Sequence, residues 1–168
     1  PVSFLEGEHK TKEFTDRNPF GEIPVLVDDD LVLRNSQAIL VYLARKFERE
    51  DWHPNGVRKE AEVLQWLMVA ENEIARGPND ARLHDKFGYE LDSAEARKKS
   101  IRVLEILDKH LSERNWLALE RPTIADVACF PYVALAQEGA ISLEPYNAVR
   151  AWVARVKSLP DFLSMPAI

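Results

Sequence analysis

Cysteine is almost absent from this 168-residue chain, and its one copy, Cys129, excludes an internal disulfide and any thiolate metal cluster. That residue lies in the apolar run VACFPYVALA, residues 127–136, where it reads as a small buried hydrophobe rather than a reactive thiol. Positive charge is also in deficit, with 22 Lys+Arg against 28 Asp+Glu and a net charge of −6. A nucleic-acid backbone needs a basic face, so no nucleic-acid partner is expected. No apolar run approaches the roughly 20 residues that span a bilayer, and no basic stretch leads into an apolar leader, so the expected setting is cytoplasmic and away from membranes. The four histidines, His9, His53, His84 and His110, lack metal-ligand spacing, and no metal is expected. Internal repeats, low-complexity tracts, a Ser-His-Asp set and a Gly-rich phosphate loop are missing as well.

What is present is ordinary globular material. Hydrophobic residues make up 46% and charged residues 30%, enough to build a real core in one domain or two small ones. The character of the chain changes near residue 50. Before it come a short apolar stretch at Val2-Ser3-Phe4, a polar segment through Asn18, two short β runs and a helix; after it almost everything has helical periodicity. In SQAILVYLARKF, residues 36–47, Ile39, Leu40, Leu43 and Phe47 recur at helical spacing and Ser36 stands at the N-cap position. The charged, Pro- and Gly-bearing EREDWHPNGVR, residues 48–58, reads as a linker. A helix over 57–76 places Ala61, Leu64, Met68 and Ile74 on one face, and Gly77-Pro78 is expected to break or kink it. Asp92 with Glu95 opens another helix, whose core stripe is Val103, Leu104, Leu107 and Leu111. Thr123 and Asp126 form a capping box, Pro131 is expected to kink or unwind the helix that follows, and Gly139 ends it. A last helix over 145–158 carries Val149, Trp152, Val153 and Val156 inward. The predicted class is α+β: a small αβ domain over 1–48, a linker over 49–56 and an all-helical domain over 57–168.

The stretch NPFGEIPVLVDDDLVLRNS, residues 18–36, poses the functional question. Val25-Leu26-Val27 and Leu31-Val32-Leu33, separated by three aspartates, read as a β-hairpin with Pro24 at its mouth. A proline cannot donate to a ladder, so it marks an edge strand or a cis bond that turns the Ile23 backbone outward. On pattern alone both remain open. So do plain readings of the neighbours: Ser36 as an ordinary cap, His9 and Lys10 as a solvated loop pair, and Arg76 and Asn79 as surface residues beside the Gly77-Pro78 punctuation. Trp66, Trp116 and Trp152 fall on apolar faces and read as core, and capping accounts for Asp126.

The ordered set GEHKTKEFTDRNPFGEIPVLVDDDLVLRNSQAILVYLARKF (7–47), EIARGP (73–78), RPTIADVA (121–128) and VRAWVARVKSLP (149–160) resembles the cytosolic glutathione S-transferases, in particular phi-like and related bacterial members. The resemblance spans essentially the whole chain and implies a thioredoxin-like N-terminal domain followed by a helical bundle, as a homodimer. It implies that Pro24 is cis and that Ile23 makes backbone hydrogen bonds to the cysteinyl part of glutathione, like an added strand. Ser36 matches the hydroxyl that holds the γ-glutamyl carboxylate at a helix start. His9 and Lys10 match the pair approaching the glycyl carboxylate. Asn35 replaces the usual Glu or Gln and Glu22 a frequent Gln; both bear on glutathione affinity. Arg76 and Asn79 are candidates for a second-substrate pocket.

By the same resemblance, the family's central first strand, the helix after it, and the Tyr, Ser or Cys that stabilises the glutathione thiolate are expected before Val2. No catalytic residue is therefore assigned within the chain, which is expected to be part of a longer protein. The implied activity is transfer of the glutathione thiolate to an electrophilic small molecule. A non-catalytic binding or regulatory protein and a glutathione-dependent reductase or isomerase are the alternatives, separated by the identity of that preceding residue.

Overall fold

The computed structural model describes residues 2–3 and 6–165. The chain divides into two units, Pro1–Glu48 and Arg49–Ile168.

In the first unit a single 3₁₀ turn, Glu8–Lys10, leads into helix α1, Lys12–Arg17. Thr11 caps α1 by accepting the N–H of Phe14, and Phe14 is the helix's buried residue. Strands β1 (Leu26–Asp28) and β2 (Leu31–Leu33) then pair antiparallel, with Leu26 opposite Leu33, Val27 opposite Val32 and Asp28 opposite Leu31. The two-residue turn between them is made possible by Asp29 at φ 52°, a left-handed conformation that Asp tolerates better than most residues. Helix α2, Ser36–Lys46, follows β2 directly. Its last turn is tied back to the hairpin, because Asp28 accepts from the Tyr42 hydroxyl and pairs with Lys46. Phe47, expected on the inner face of α2, is instead exposed at the helix's C-terminal cap. The expected strand at Val2-Ser3-Phe4 falls partly outside the described residues; Val2 and Ser3 have no strand pairing, and among the described residues the sheet has two strands.

The second unit is helical: α3 (Val57–Val69), a π-helical segment (Ala70–Asn79), α4 (Asp80–Phe87), α5 (Ser93–Leu111), α6 (Ile124–Ala134), a 3₁₀ turn (Ala136–Gly139) and α7 (Asn147–Lys157). Residues 49–56, which read as a linker, are held to this unit: Ile124 N–H donates to the Trp52 carbonyl at 3.0 Å and Arg121 to the Glu50 carbonyl at 2.7 Å.

The break expected at Gly77-Pro78 and the unwinding expected at Pro131 are corrected here. Gly77-Pro78 does not end the helix, which continues through the π segment into α4. The wider winding absorbs the missing proline donor: the Asp80 N–H reaches back five residues to the Ala75 carbonyl. Gly77 serves packing instead, since a Cβ there would lie 3.1 Å from the Ser100 backbone nitrogen on α5. Likewise α6 runs helical through Pro131 to Ala134. The inward face of α3 is also corrected. Val63, Trp66, Leu67 and Ala70 are buried together with Ile74, whereas Ala61, Leu64 and Met68 face out. Residues 63, 67, 70 and 74 keep helical spacing along a neighbouring stripe, and it is this stripe that meets α6 and α5.

The helical core centres on Val103, Leu104 and Leu107 of α5, Val133 of α6, and Val149 and Trp152 of α7, all buried. The Thr123–Asp126 capping box forms, with the Thr123 N–H donating to Asp126 at 2.9 Å. Capping is only part of that carboxylate's work. Its other oxygen accepts the Leu117 N–H at 3.0 Å and the Trp152 indole N–H at 2.9 Å. Burial pushes the Asp126 carboxyl above its usual range against the opposing pull of these hydrogen bonds. Helix α7 has no side-chain cap of its own; Asp108 of α5 accepts the N–H groups of Ala148 and Val149 at 2.8 and 3.0 Å. Cys129 is fully buried, with its Sγ 3.5 Å from the Trp66 carbonyl, and burial raises its thiol well above the usual range. No helix among the described residues is long and apolar enough to cross a membrane.

Candidate ligand-binding edge

The Ile23–Pro24 bond is cis. Ile23 is 47% exposed, and among the described residues its N–H meets no acceptor. The segment leading to it is held firmly. Asn18, with no exposed surface, donates its own N–H to the Phe14 carbonyl (2.9 Å) and accepts the Gly21 N–H on its backbone carbonyl (2.9 Å). Its side-chain oxygen accepts the Phe20 N–H (3.2 Å), and its amide donates to the Glu22 carbonyl (2.7 Å). Gly21 sits at φ 59°, where a Cβ would come within 3.2 Å of the His9 carbonyl and the Lys10 side chain.

Lys10 donates to the Gly21 carbonyl at 2.9 Å, so His9 and Lys10 are brought against the turn that precedes Glu22, Ile23 and Pro24. His9 is buried, Lys10 exposed. Glu22 takes part through its backbone carbonyl while its side chain is exposed.

The hairpin brings the second half of the candidate set to the same end. Ile23 lies three residues before Leu26 and Ser36 three residues after Leu33, the pair that begins the ladder. The Arg34 guanidinium stands 5.7 Å from the centre of the Phe20 ring across this end, a cation–π contact. Helix α2 begins here, and its N-cap is Asn35, not Ser36: the Asn35 backbone is extended (φ −126°, ψ 131°), and its side-chain oxygen accepts from Gln37 and Ala38 at 3.0 and 3.1 Å. Ser36 is the first helical residue. Its hydroxyl donates to the Gln37 side-chain oxygen, and its N–H has no acceptor among the described residues. The α2 start therefore presents one N–H and one hydroxyl, at the positive end of a helix dipole, three residues from the hairpin.

In the helical unit, Arg76 lines a cavity of about 320 Å³ between the π segment and α5, with Asn72 on its own side and Lys99, Arg102, Ile106 and buried Val103 opposite. Asn79, half-buried at the end of the π segment, does not line it. Asn18 is the residue that sequence reading passed over. NPFG is a turn signal in which an Asn side chain binds the backbone two residues on, and that Asx turn is the contact to Phe20.

Residues 1–45 match the family model "Glutathione S-transferase, N-terminal domain" and residues 81–160 match "Glutathione S-transferase, C-terminal domain". Glutathione S-transferase 2 of Anopheles gambiae is 32% identical over 95% of this chain and 78% of its own length. The crystal structure of a glutathione S-transferase from Xanthobacter autotrophicus superposes with a TM-score of 0.89 at 31% identity, covering 99% of this chain and 82% of that one. A glutathione S-transferase-I bound with lactoylglutathione superposes at 0.78 with 29% identity, over 95% of this chain and 81% of that one. With an exposed Ile23–cis-Pro24 backbone and a helix start at the same hairpin end, the chain belongs to the glutathione S-transferase family.

Proposed function

We propose that the protein is a cytoplasmic glutathione transferase that binds the tripeptide along the Ile23–Ser36 edge and transfers its sulfur to an electrophilic small molecule. The observation that carries this reading is the outward Ile23 N–H flanking the same hairpin end as the α2 start. A cysteinyl backbone adding to Ile23 as a further strand gains hydrogen bonds there, and the γ-glutamyl carboxylate gains the Ser36 N–H and hydroxyl. The hydroxyl proton now shared with Gln37 turns to the carboxylate, a stronger acceptor. His9 and Lys10, close to the turn before Glu22, serve the glycyl carboxylate.

Chemically, the glutathione thiol loses its proton to become the nucleophile; its lone pair forms a carbon–sulfur bond as the electrophile's leaving group departs with the bonding pair or an activated double bond takes up the charge. Residues 1–48 orient the tripeptide for this step, 49–56 connect, and 57–168 hold the electrophile, with Arg76 and Asn79 as proposed lining residues; the Arg76 cavity supports the first of them. None of the residues named is assigned the thiolate-stabilising role. Leu64 and Met68, 53% and 51% exposed on one outward face of α3, support assembly as a homodimer.

Calorimetric titration of glutathione into the protein and into Ser36→Ala tests the reading. Saturable binding that weakens roughly tenfold or more in the variant is expected, the scale of a lost hydrogen bond to a charged group. Absence of binding to the folded wild-type protein at millimolar glutathione overturns it.

A further inference from the structure

We infer that Asn18 is a positioning residue for the ligand edge, setting the direction of the Ile23 N–H from within the fold; this rests on the reading that glutathione binds there. The Glu22 carbonyl and the Ile23 N–H belong to one peptide unit, and a trans peptide is planar with its C=O and N–H pointing in opposite directions. Whatever holds the carbonyl therefore aims the N–H. What holds it is the Asn18 side-chain amide, at 2.7 Å.

The holder is itself immobilised. Asn18 is fully buried, and its remaining three polar groups are committed to Phe14, Phe20 and Gly21. Three of its four bonds thus converge on residues 20–22, and the fourth anchors the end of α1. Lys10 adds a second strut on the adjoining Gly21 carbonyl at 2.9 Å. Beyond these struts the Ile23 N–H has no acceptor among the described residues. A ligand carbonyl arriving there meets a donor already oriented, so little ordering has to accompany binding. Asn is the residue that does this, because it offers a donor to Glu22 and an acceptor to Phe20 from one side chain. Asp keeps the acceptor but sets an oxygen against the Glu22 carbonyl.

The test is a cycle of protein variant against ligand variant. Glutathione and a reduced-peptide analogue lacking the cysteinyl carbonyl are titrated into wild type and Asn18→Asp, with circular dichroism confirming the fold. In wild type the analogue is expected to bind at least tenfold more weakly than glutathione, and in Asn18→Asp that preference is expected to shrink to less than threefold. A merely structural role leaves the preference unchanged, and that result overturns the inference. Should Asn18→Asp fail to fold, the same cycle is run on Asn18→Ser, whose shorter side chain does not reach the Glu22 carbonyl: a preference below threefold supports the inference, and an unchanged preference overturns it. If wild type binds no glutathione at all, it is the site reading that falls, a different outcome from an unchanged preference.

Discussion

Ile23 and Ser36 stand three residues beyond the Leu26–Leu33 pair on opposite strands, so the β1–β2 ladder delivers an outward backbone edge and a helix start to one place. Neither residue is remarkable by type. Their pairing comes from register, and a one-residue slip would move the two apart and reverse the faces of both strands.

The cap at Asn35 leads to a testable exchange. Asn35→Asp preserves N-capping of Gln37 and Ala38, since Asp and Asn cap about equally, and supplies a second carboxylate oxygen for the ligand's α-ammonium. Unchanged thermal stability with tighter glutathione binding is expected by calorimetry. Asn35→Ala should instead cost about 1 kcal/mol, the usual loss of a cap, and weaken binding as the first turn of α2 frays.

Asp126 should be among the least replaceable residues of the helical unit. Asp126→Ala strands the buried N–H donors of Leu117, Thr123 and Trp152, at about 1–3 kcal/mol each. A loss of at least about 3 kcal/mol in urea unfolding is expected, while Trp152→Phe, which removes a single donor and keeps most of the packing volume, should cost less.

Gly139 is a matter of space. A Cβ there would lie 2.8 Å from the Arg82 backbone nitrogen and 2.9 Å from the Ala81 carbonyl carbon, neither of which can swing aside as a side-chain tip can. Gly139→Ala should lower stability by about 1–3 kcal/mol, as overpacking does, measured against a Gly88→Ala control, where the added carbon meets nothing within 4 Å and only the backbone angle is strained.

Acid should unfold the protein through its paired carboxylates. Lys86, with Arg82, holds Glu138 below its ordinary range; His84, with Arg97, does so for Asp85; and Lys46, with Tyr42, for Asp28. Folded values below unfolded ones mean that these groups stabilise the protein at pH above the ordinary carboxylate range of about 4, and that this contribution is lost as pH falls through the folded values. The melting temperature should therefore decline below about pH 4, and Glu138→Gln should flatten that decline while lowering stability at pH 7.

The outward face of α3 gives the assembly test. Met68→Glu places a charge on the exposed Leu64–Met68 stripe, and sedimentation should show a monomer where wild type is a dimer. A monomeric wild type overturns the homodimer reading.

Much of this architecture was legible beforehand. The hairpin strands, α2, the α5 stripe and the Thr123–Asp126 box all rest on local periodicity or capping chemistry, and local signals survive in the folded chain. What escaped depends on partners distant in sequence. Leu64 and Met68 look like core by hydrophobicity, but the neighbouring stripe, with Trp66 and Leu67, packs against α6. Gly77-Pro78 looks like an end because proline removes a donor, yet a π segment absorbs the loss while Gly77 lets α5 approach. Asp126 looks fully explained by its cap, and only the fold brings Leu117 and Trp152 to its second oxygen. At the proposed ligand edge, Pro24 and Ser36 announce themselves, whereas Asn18 passes for an ordinary turn residue until its burial is seen.

The cap of α7 carries a consequence for how the chain is assembled. Its first amides rest on Asp108, a residue 40 positions earlier, and its central indole on Asp126, 26 positions earlier. The segment has no side-chain cap of its own, so its start is completed by a receptor site that is synthesised before it. On the ribosome the socket precedes the plug, and the helical unit can close only once α7 has itself been synthesised.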